Sequence, residues 1–298
     1  MSNGPQQKIG FIGVGMMGHG ICLNLIKAGF PLTVIAHRNR ARIDDLLGRG
    51  AAEAKSLREL AADADVVMIC VNSADSVAEL VREMLPAMSA GKMIIDVTTS
   101  KPETSEMLAA EAKAKGVTFI DAPVVGGPPQ AAEGKLGTFV GGTEADLERA
   151  MPILQAYSAD VALFGPVGAG NKAKLLNNFL TIGLRQLVTQ TFRAARRNGI
   201  DESLLYRLAS KGAAGSRVLD QFVQGALAGD YTRNKFSIAN CHKDVTYAAP
   251  LFADDPDGKA IQQVMQAAYG RLVAAGLSAR MSSEMLDPEV EAQGKRGA

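Results

Sequence analysis

The stretch Lys8-Ile-Gly-Phe-Ile-Gly13-Val-Gly15-Met-Met-Gly18 decides how the rest of the chain is read. Its first half is short, apolar and closed by glycine, the pattern of a buried strand. Its second half is a turn that opens a helix. Glycines at this spacing permit a tight turn, close approach of the backbone to a pyrophosphate, and close packing of helix on strand. The helix N-terminus then offers unbonded N–H groups and a partial positive charge to phosphate. Gly13, Val14, Gly15, Met16, Met17 and Gly18 are therefore candidate cofactor-binding residues. A glycine fingerprint alone is weak, because glycine turns are common. Here it follows the first strand of an alternating chain, and that position favours dinucleotide binding over a structural turn.

Working outward, short runs rich in Val and Ile at 8–13, 32–36, 65–71, 92–97 and 117–121 read as strands, with helical patterns between them. Ser56-Leu-Arg-Glu59 is a capping box, in which hydroxyl and carboxylate each satisfy an orphan backbone donor. Pro102 suits a first helical turn and Gly116 the stop beyond that helix. Strand–helix alternation of this kind implies a parallel sheet covered on both faces, an α/β doubly wound Rossmann domain over residues 1–168. After a last strand at 160–164 and the turn cluster Gly165-Pro-Val-Gly-Ala-Gly170, the remainder reads as an all-α domain, 169–298. Residues 171–197 form one long helical pattern of roughly 40 Å. Arg196 and Arg197 suit its last turn, and Asn198-Gly199 ends it. Asp201 caps a helix at 202–210, further helices run to about residue 275, and the tail after Met281 reads as polar and frayed.

The long helix carries Leu175, Leu176, Phe179, Leu180, Ile182, Leu184, Leu187 and Val188 on more than one side. Such a helix has to be covered, either by its own domain or by a second subunit, and a homodimer or homotetramer is expected.

Composition narrows the classes. Of 298 residues, 47% are hydrophobic and 21% charged, which excludes disorder and suits one large or two moderate domains. Lys and Arg total 32 against 31 for Asp and Glu, so the chain has no general pull toward nucleic acid or anionic membrane. No signal-peptide core precedes Lys8, and no apolar run is long enough to span a bilayer. Cys22, Cys70 and Cys241 are far apart without metal-ligand spacing, two of them in apolar stretches. They read as reduced buried thiols of a cytoplasmic protein. With three scattered histidines and no paired carboxylates, neither a metal site nor a hydrolytic triad is expected.

The end of the second strand bears on the cofactor. A carboxylate about 20 residues past the glycines would bond an adenosine ribose and mark NAD. The count from Gly18 reaches His37, Arg38 and Asn39, then Arg40 and Arg42, with no acid before Asp44. A guanidinium forks bidentately onto phosphate, so Arg38 favours NADP over NAD. A solvated turn is the competing account, strongest for Arg40 and Arg42.

The third informative stretch is GAGNKAKLLNN at 168–178. Lys174 and Asn178 lie four apart and share one helix face. A lysine in apolar surroundings near a Rossmann cleft is costly without a partner or a task. Burial and a neighbouring nicotinium would both lower its pKa, bringing it into the range for proton exchange near neutrality. An alcohol being oxidised loses its hydroxyl proton as hydride leaves carbon, and Lys174 can take it while Asn178 orients the substrate. The bland account, a lysine snorkelling to solvent, suits Lys172 better.

Four ordered motifs together resemble the β-hydroxyacid dehydrogenase family: GFIGVGMMG at 10–18, DAPVVGGPPQAAEGKLGTFVGG at 121–142, GAGNKAKLLNN at 168–178 and HKD at 242–244. Its members include 3-hydroxyisobutyrate dehydrogenase, tartronate semialdehyde reductase and glyoxylate/succinic semialdehyde reductase. The resemblance implies a Rossmann domain, a long interdomain helix and an all-α C-terminal domain of the 6-phosphogluconate dehydrogenase kind that often completes a dimer. It implies Lys174 as acid/base and Asn178 as the substrate-positioning residue, with Gly126 and Gly127 offering amides to the substrate's acid group. Val71, Asn72, Ser76 and Thr99 match cofactor loops, Lys243 matches a lysine that closes over the cofactor, and the match at His37-Arg38-Asn39 keeps the arginine.

One position departs. Where the family usually has a serine whose hydroxyl bonds the substrate carboxylate, this chain has Val125. Loss of one hydrogen bond to a charged ligand costs on the order of 1.5–3 kcal/mol unless compensated. The expected substrate therefore differs from 3-hydroxyisobutyrate, being bulkier, less polar at this wall, or carrying a different anionic group. Lys211 and Arg217 in KGAAGSR (211–217) are candidates for replacement charge, although surface positions are the default for both. His19 and His242 carry less weight. The competing functions are an imine reductase, disfavoured by Lys174, and a non-catalytic dinucleotide-binding module, disfavoured by the Lys174–Asn178 pair.

Overall fold

The computed structural model describes residues 7–36 and 40–296, with side chains through residue 294. The chain divides into two compact units, the first ending at Lys174 and the second beginning at Leu175. The sequence boundary was expected six residues earlier; the observed division falls inside the long helix.

In the first unit, β1 (Ile9–Ile12), α1 (Met16–Lys27), β2 (Leu32–Val34), α2 (Arg40–Leu47) and β3 (Ala52–Glu53) open the alternation. It continues through α3 (Leu57–Asp63), β4 (Val66–Ile69), α4 (Ala74–Met84), β5 (Met93–Asp96), α5 (Pro102–Lys113) and β6 (Thr118–Asp121). The unit closes with β7 (Val124–Val125), α6 (Pro128–Glu133), β8 (Leu136–Gly141), α7 (Glu144–Tyr157) and β9 (Ser158–Gly165). The described strands lie in the order β3-β2-β1-β4-β5-β6-β8-β7, with β9 on β8. Pairing is parallel from β3 to β6, antiparallel between β6 and β8 and between β7 and β8, and parallel again between β8 and β9.

Why the central strands are continuous apolar runs is visible in the packing. Ile9, Phe11, Val66, Met68, Met93 and Ile95 point to one core, shared with Ile21, Leu25, Ile153 and Tyr157 of α1 and α7. Ile12, Val67, Ile69 and Ile94 point to the opposite core, shared with Leu60, Val77, Val81 and Leu108 of α3, α4 and α5. A strand covered on both faces has no polar side to show. Each such side chain contributes about 1.5–3 kcal/mol relative to exposure. Helix starts follow their caps. Ser56 Oγ accepts from Glu59 N–H at 3.2 Å while Glu59 Oε2 accepts from Lys55 N–H at 2.9 Å. Thr143 and Asp146 form the fully reciprocal box at the start of α7, whereas Glu59 reaches Lys55 N–H rather than Ser56 N–H.

In the second unit α8 (Ala169–Arg197), which begins in the first, is followed by α9 (Glu202–Ala209), α10 (Arg217–Leu227), α11 (Ile238–Ala248), α12 (Pro256–Ala274) and α13 (Pro288–Arg296). Asp201 caps α9 as expected, accepting from Ser203 and Leu204 N–H. The core gathers Ile182, Phe192, Phe222, Val245, Tyr269 and Leu286 from α8, α10, α11, α12 and the segment before α13.

Two expectations need correction. The strands β3, β7 and β8 were not read from sequence. Two of them are two residues long, and β8 owes its extended form to its partners β6, β7 and β9 rather than to a local pattern. The tail after Met281 is not frayed: Ser282, Ser283, Glu284, Met285 and Leu286 form a buried 3₁₀ turn before α13. Arg193 explains it, donating from its guanidinium to the Met285 carbonyl, with Arg196 on Leu286 O at 3.1 Å. The long helix α8, expected to be covered by its own domain or by a second subunit, is covered within this chain on part of its surface. Leu175, Ile182, Val188 and Phe192 are inside, whereas Leu176, Leu180 and Leu187 are exposed. Cys22 and Cys241 are buried, Cys70 is half-buried, and all three are unbridged. No described helix is long and apolar enough to cross a membrane.

Candidate active site

The glycine turn of the first unit sorts by what each glycine serves. Gly13 has φ 99°, and a Cβ there would stand 2.1 Å from the Cys70 carbonyl oxygen. A Cβ on Gly18 would meet Gly13 O at 2.2 Å and the Phe11 ring at 2.9 Å. These two are glycine because the protein's own backbone crowds them. Gly15 is different. It caps α1 with φ −81° and ψ −160°, ordinary for any residue, and nothing in the chain lies within 4 Å of where its Cβ would be. The fold does not require glycine here, whereas close approach of a pyrophosphate does. The first turn of α1 carries no acidic side chain, so its dipole and N–H groups face outward uncompensated. Val14 and Met17 pack against the core, and Met16 is exposed. The turn fits a dinucleotide phosphate.

The loops after β4 and β5 lie on the same carboxyl edge. Val71 N–H donates to Thr98 Oγ1 at 3.1 Å, so the two loops are tied together. Asn72 is exposed and Thr99 half-buried. Ser76 belongs to a local cap, its N–H and hydroxyl both engaged with Ser73 Oγ at 3.2 and 2.9 Å. His37, Arg38 and Asn39, on which the NADP reading rests, lie outside the described residues. Arg40 is committed elsewhere, to Asp44 at 2.7 Å and Glu53 at 2.6 Å on an exposed surface. That is the solvated role anticipated for it.

How Lys174 is placed follows from the start of its helix. Asp121, at the carboxyl end of β6, accepts from Gly168 N–H at 2.7 Å and from Asn171 N–H at 2.6 Å. Asn171 in turn accepts from Ser100 N–H at 2.8 Å and donates to Ser105 Oγ at 3.1 Å. A Cβ on Gly170 would stand 2.6 Å from Phe139 O and 2.8 Å from Gly141 N, so the helix presses directly on the sheet. These groups clamp α8 to the carboxyl edge where β5 and β6 end, the edge on which open α/β sheets bind ligands. Lys174, one turn further along α8, is only 7% exposed. Lys172 points away to an exposed pair with Glu106 at 2.9 Å. Burial pushes the Asp121 carboxyl up to about 6, against the opposing pull of the two amides. Sequence reading quoted Asp121 and Asn171 within motifs but gave them no task; a carboxylate closing a strand and an asparagine opening a helix were the available signals.

The loop carrying the substrate-side expectation is also in the first unit. Val125 pairs with Gly137 across β7 and β8 and is 36% exposed. Gly126 has φ 125°. Gly127 N–H already donates to Gln130 Oε1 at 2.9 Å, so this amide is engaged within its own turn.

In the second unit, Asn178 is buried on α8, one turn past Lys174 on the same face. Its Nδ2 donates to Asp244 Oδ2 at 2.6 Å, and its Oδ1 accepts from Asn177 Nδ2 at 3.2 Å. Lys243 Nζ pairs with Asp244 Oδ1 at 2.8 Å and stands 4.9 Å from the Tyr247 ring centroid. Asp244, 2% exposed, therefore binds both residues that the motifs singled out in this unit, and sequence reading had passed over it. Lys211 and Arg217 are exposed. His242 packs toward Gly270, and in the first unit His19 pairs with Asp45 at 2.8 Å. Among the described residues no group of side chains has the make-up of a metal site.

Fold and site together define a dinucleotide-dependent oxidoreductase with a helical second domain. Residues 8–165 match the profile of the NAD binding domain of 6-phosphogluconate dehydrogenase, and residues 168–287 that of the NAD-binding domain of NADP-dependent 3-hydroxyisobutyrate dehydrogenase. The chain is 31% identical over 245 residues to 2-hydroxy-3-oxopropionate reductase of Escherichia coli (strain K12), spanning 81% of this chain and 82% of that protein. It is 32% identical over 219 residues to an NAD-dependent L-serine dehydrogenase of Pseudomonas aeruginosa, spanning 72% and 73%. The crystal structure of 3-hydroxyisobutyrate dehydrogenase from Salmonella typhimurium superposes with a TM-score of 0.84 at 25% identity, covering 94% of this chain and 99% of that one. The chain belongs to the β-hydroxyacid dehydrogenase family. Its first domain is of the kind that binds a nicotinamide dinucleotide.

Proposed function

We propose that this protein interconverts a short β-hydroxy acid and its semialdehyde, with NADP(H) preferred over NAD(H). The dinucleotide, when bound, supplies or accepts hydride at C4 of its nicotinamide. The chain's own residues handle the proton and the geometry. In the reducing direction the Lys174 ammonium gives its proton to the carbonyl oxygen as hydride reaches carbon, and the neutral amine regains one from solvent before the next turnover. In the oxidising direction the amine takes the hydroxyl proton. Asn178 orients the substrate, and the region of Val125 and Gly126 forms the wall toward its acid group.

The observation that carries this reading is the clamp on α8. A buried lysine on a helix fixed by Asp121 and Asn171 to the carboxyl edge of a nucleotide-binding sheet supports an acid/base role for Lys174 in hydride chemistry. The NADP preference rests on Arg38 in the sequence. Val125 supports a substrate other than 3-hydroxyisobutyrate, because no side-chain donor stands at that position. Exposed Leu176, Leu180 and Leu187, spaced along α8, and Ile261 and Val264 on α12 support a homodimer or homotetramer. Three unbridged thiols support a reducing, cytoplasmic setting.

The test is NADPH and NADH oxidation against short semialdehydes and keto acids, beside Lys174→Ala. The variant is expected to bind cofactor as the wild type does and to lose turnover by about 10²–10⁴-fold. A variant that turns over normally would refute the role of Lys174. Activity on cyclic imines alone would move the chain to C=N reduction.

A further inference from the structure

In the second unit, α8, α12, the 3₁₀ turn at Ser282–Leu286 and α13 line a cavity of about 200 Å³. Gln190 and Arg193 reach it from α8, Arg271 and Leu272 from α12, Met285 from the turn and Glu291 from α13. Leu272 and Met285 belong to the core of the unit and give the cavity an apolar surface; the other four are polar. None of them has a part in the site described above.

Arg193 sets the character of this space. Its Nε donates to the Met285 carbonyl at 2.9 Å and its Nη2 donates to the same oxygen, which fixes the plane of the guanidinium. Its Nη1 has no acceptor among the described residues, although the side chain is only 12% exposed. Glu291 does not supply one: it stands 3.7 Å from Nε, and its Oε1 is engaged by Arg197 at 3.0 Å. Burial lowers the Arg193 pKa, Glu291 opposes that, and Arg196 and Arg197 add to the lowering. Arg271 is exposed, and its guanidinium too has no acceptor among the described residues. At and beside the cavity, Arg193, Arg197 and Arg271 therefore outnumber the Glu291 carboxylate, and an anion there would offset the excess.

We propose that this cavity is a binding site for a short-chain monocarboxylate, its acid group on the Arg193 Nη1 and Arg271 donors and its alkyl body along Leu272 and Met285. A planar guanidinium matches a carboxylate. At roughly 30 Å³ for a group the size of a water molecule, the volume holds about six or seven groups, an acid of about four to six carbons. Phosphate would leave the apolar surface uncovered, and a second carboxylate would stand against Glu291. The site lies within the helical unit and is independent of the reaction proposed above.

The experiment titrates the full chain, labelled with 13C at its methionine methyls, with butyrate, hexanoate, hexanamide and inorganic phosphate. Met285→Leu identifies the Met285 signal. Both acids should move it saturably in the millimolar range, hexanoate about tenfold the tighter because two more methylenes are buried. Hexanamide, of similar shape without the charge, and phosphate should each bind at least about tenfold more weakly than hexanoate. Arg271→Ala removes one donor group from an exposed position and should weaken hexanoate about tenfold or more. Gln190→Glu, at a side chain that donates to Gln186 at 3.4 Å, brings a negative charge to the cavity and should weaken it in the same direction. Both variants should unfold at the wild-type temperature. Lys174→Ala should bind hexanoate as the wild type does, which separates this test from that of the proposed function.

A Met285 methyl that does not move, hexanamide binding as well as hexanoate, phosphate preferred to both acids, or affinity unchanged in both Arg271→Ala and Gln190→Glu would each overturn the proposal. Loss of hexanoate binding in Lys174→Ala would overturn it by assigning the acid to the proposed active site. Access gained only in Leu180→Glu with Leu187→Glu would overturn it by making a second copy of the chain the occupant.

Discussion

Asp121→Asn is a test of which force governs the start of α8. The wild-type carboxylate accepts two backbone N–H bonds at a helix N-terminus, at 2.7 and 2.6 Å, an arrangement that by itself stabilises the ionised form. Burial opposes it and wins, raising the carboxyl from the usual 3.8 to about 6. Such a rise corresponds to about 3 kcal/mol. The sign follows from proton counting. Below pH 3.8 the group is protonated in both folded and unfolded chains, and nothing is lost. Between 3.8 and about 6 the unfolded chain ionises first, so folding becomes progressively costlier as pH rises, and above about 6 the whole penalty applies. The amide introduced by the substitution cannot ionise and accepts at one oxygen only, leaving one buried N–H unpaired at a cost of about 1–3 kcal/mol. The variant's stability deficit should therefore be largest below about pH 3.8 and shrink by about 2 kcal/mol between pH 4.5 and pH 7.5. Urea unfolding of both proteins across this range, followed by circular dichroism, measures it. A deficit that grows with pH would refute the reasoning, because it would mean that the amides and the helix dipole outweigh burial.

Gly13 and Gly15 should separate cleanly. Gly15→Ala, with φ −81° and open space around it, should leave stability within about 0.5 kcal/mol of wild type yet weaken dinucleotide binding at least about tenfold. Gly13→Ala, at φ 99° and against a carbonyl, should lose about 3 kcal/mol or more; thermal unfolding and cofactor titration read the two effects. Val125→Ser should raise kcat/KM for 3-hydroxyisobutyrate relative to the preferred substrate by about 10-fold or more, from one regained bond to a carboxylate. An unchanged ranking would show that the position is irrelevant. Leu180→Glu with Leu187→Glu, both on residues about two-thirds exposed (64% and 66%), should reduce the mass seen in light scattering to that of one chain.

What the sequence displayed was what local chemistry encodes. The run 8–18 announced its strand, turn and helix because glycine sterics and apolar continuity act within a few residues. Lys174 and Asn178 stood out because a spacing of four puts two polar groups on one helix face. The rest depended on partners distant along the chain. Leu136–Gly141, with three polar or glycine positions, becomes a strand by pairing with β6, β7 and β9. Ser282 and Ser283 look like solvent residues until Arg185 and the Tyr231 carbonyl are found beside them, at 3.1 and 2.6 Å. Asp244 shows its task only against Asn178, 66 residues earlier. The cofactor choice is a different case, since His37, Arg38 and Asn39 speak through sequence alone.

The buried 3₁₀ turn at Ser282–Leu286 has a consequence for biosynthesis. Every strand of the first unit has been made by Gly165, so that unit has all its sheet partners while translation continues. The helical unit has no such head start: Met285 and Leu286 are core residues, and the carbonyls that Arg193 and Arg196 seize belong to them. Until residues 282–286 have been made, the helical unit lacks part of the core that Phe192, Phe222 and Tyr269 share. A chain cut before residue 282 is therefore expected to leave the helical unit without its closing layer, whereas the sheet of the first unit keeps all its strands.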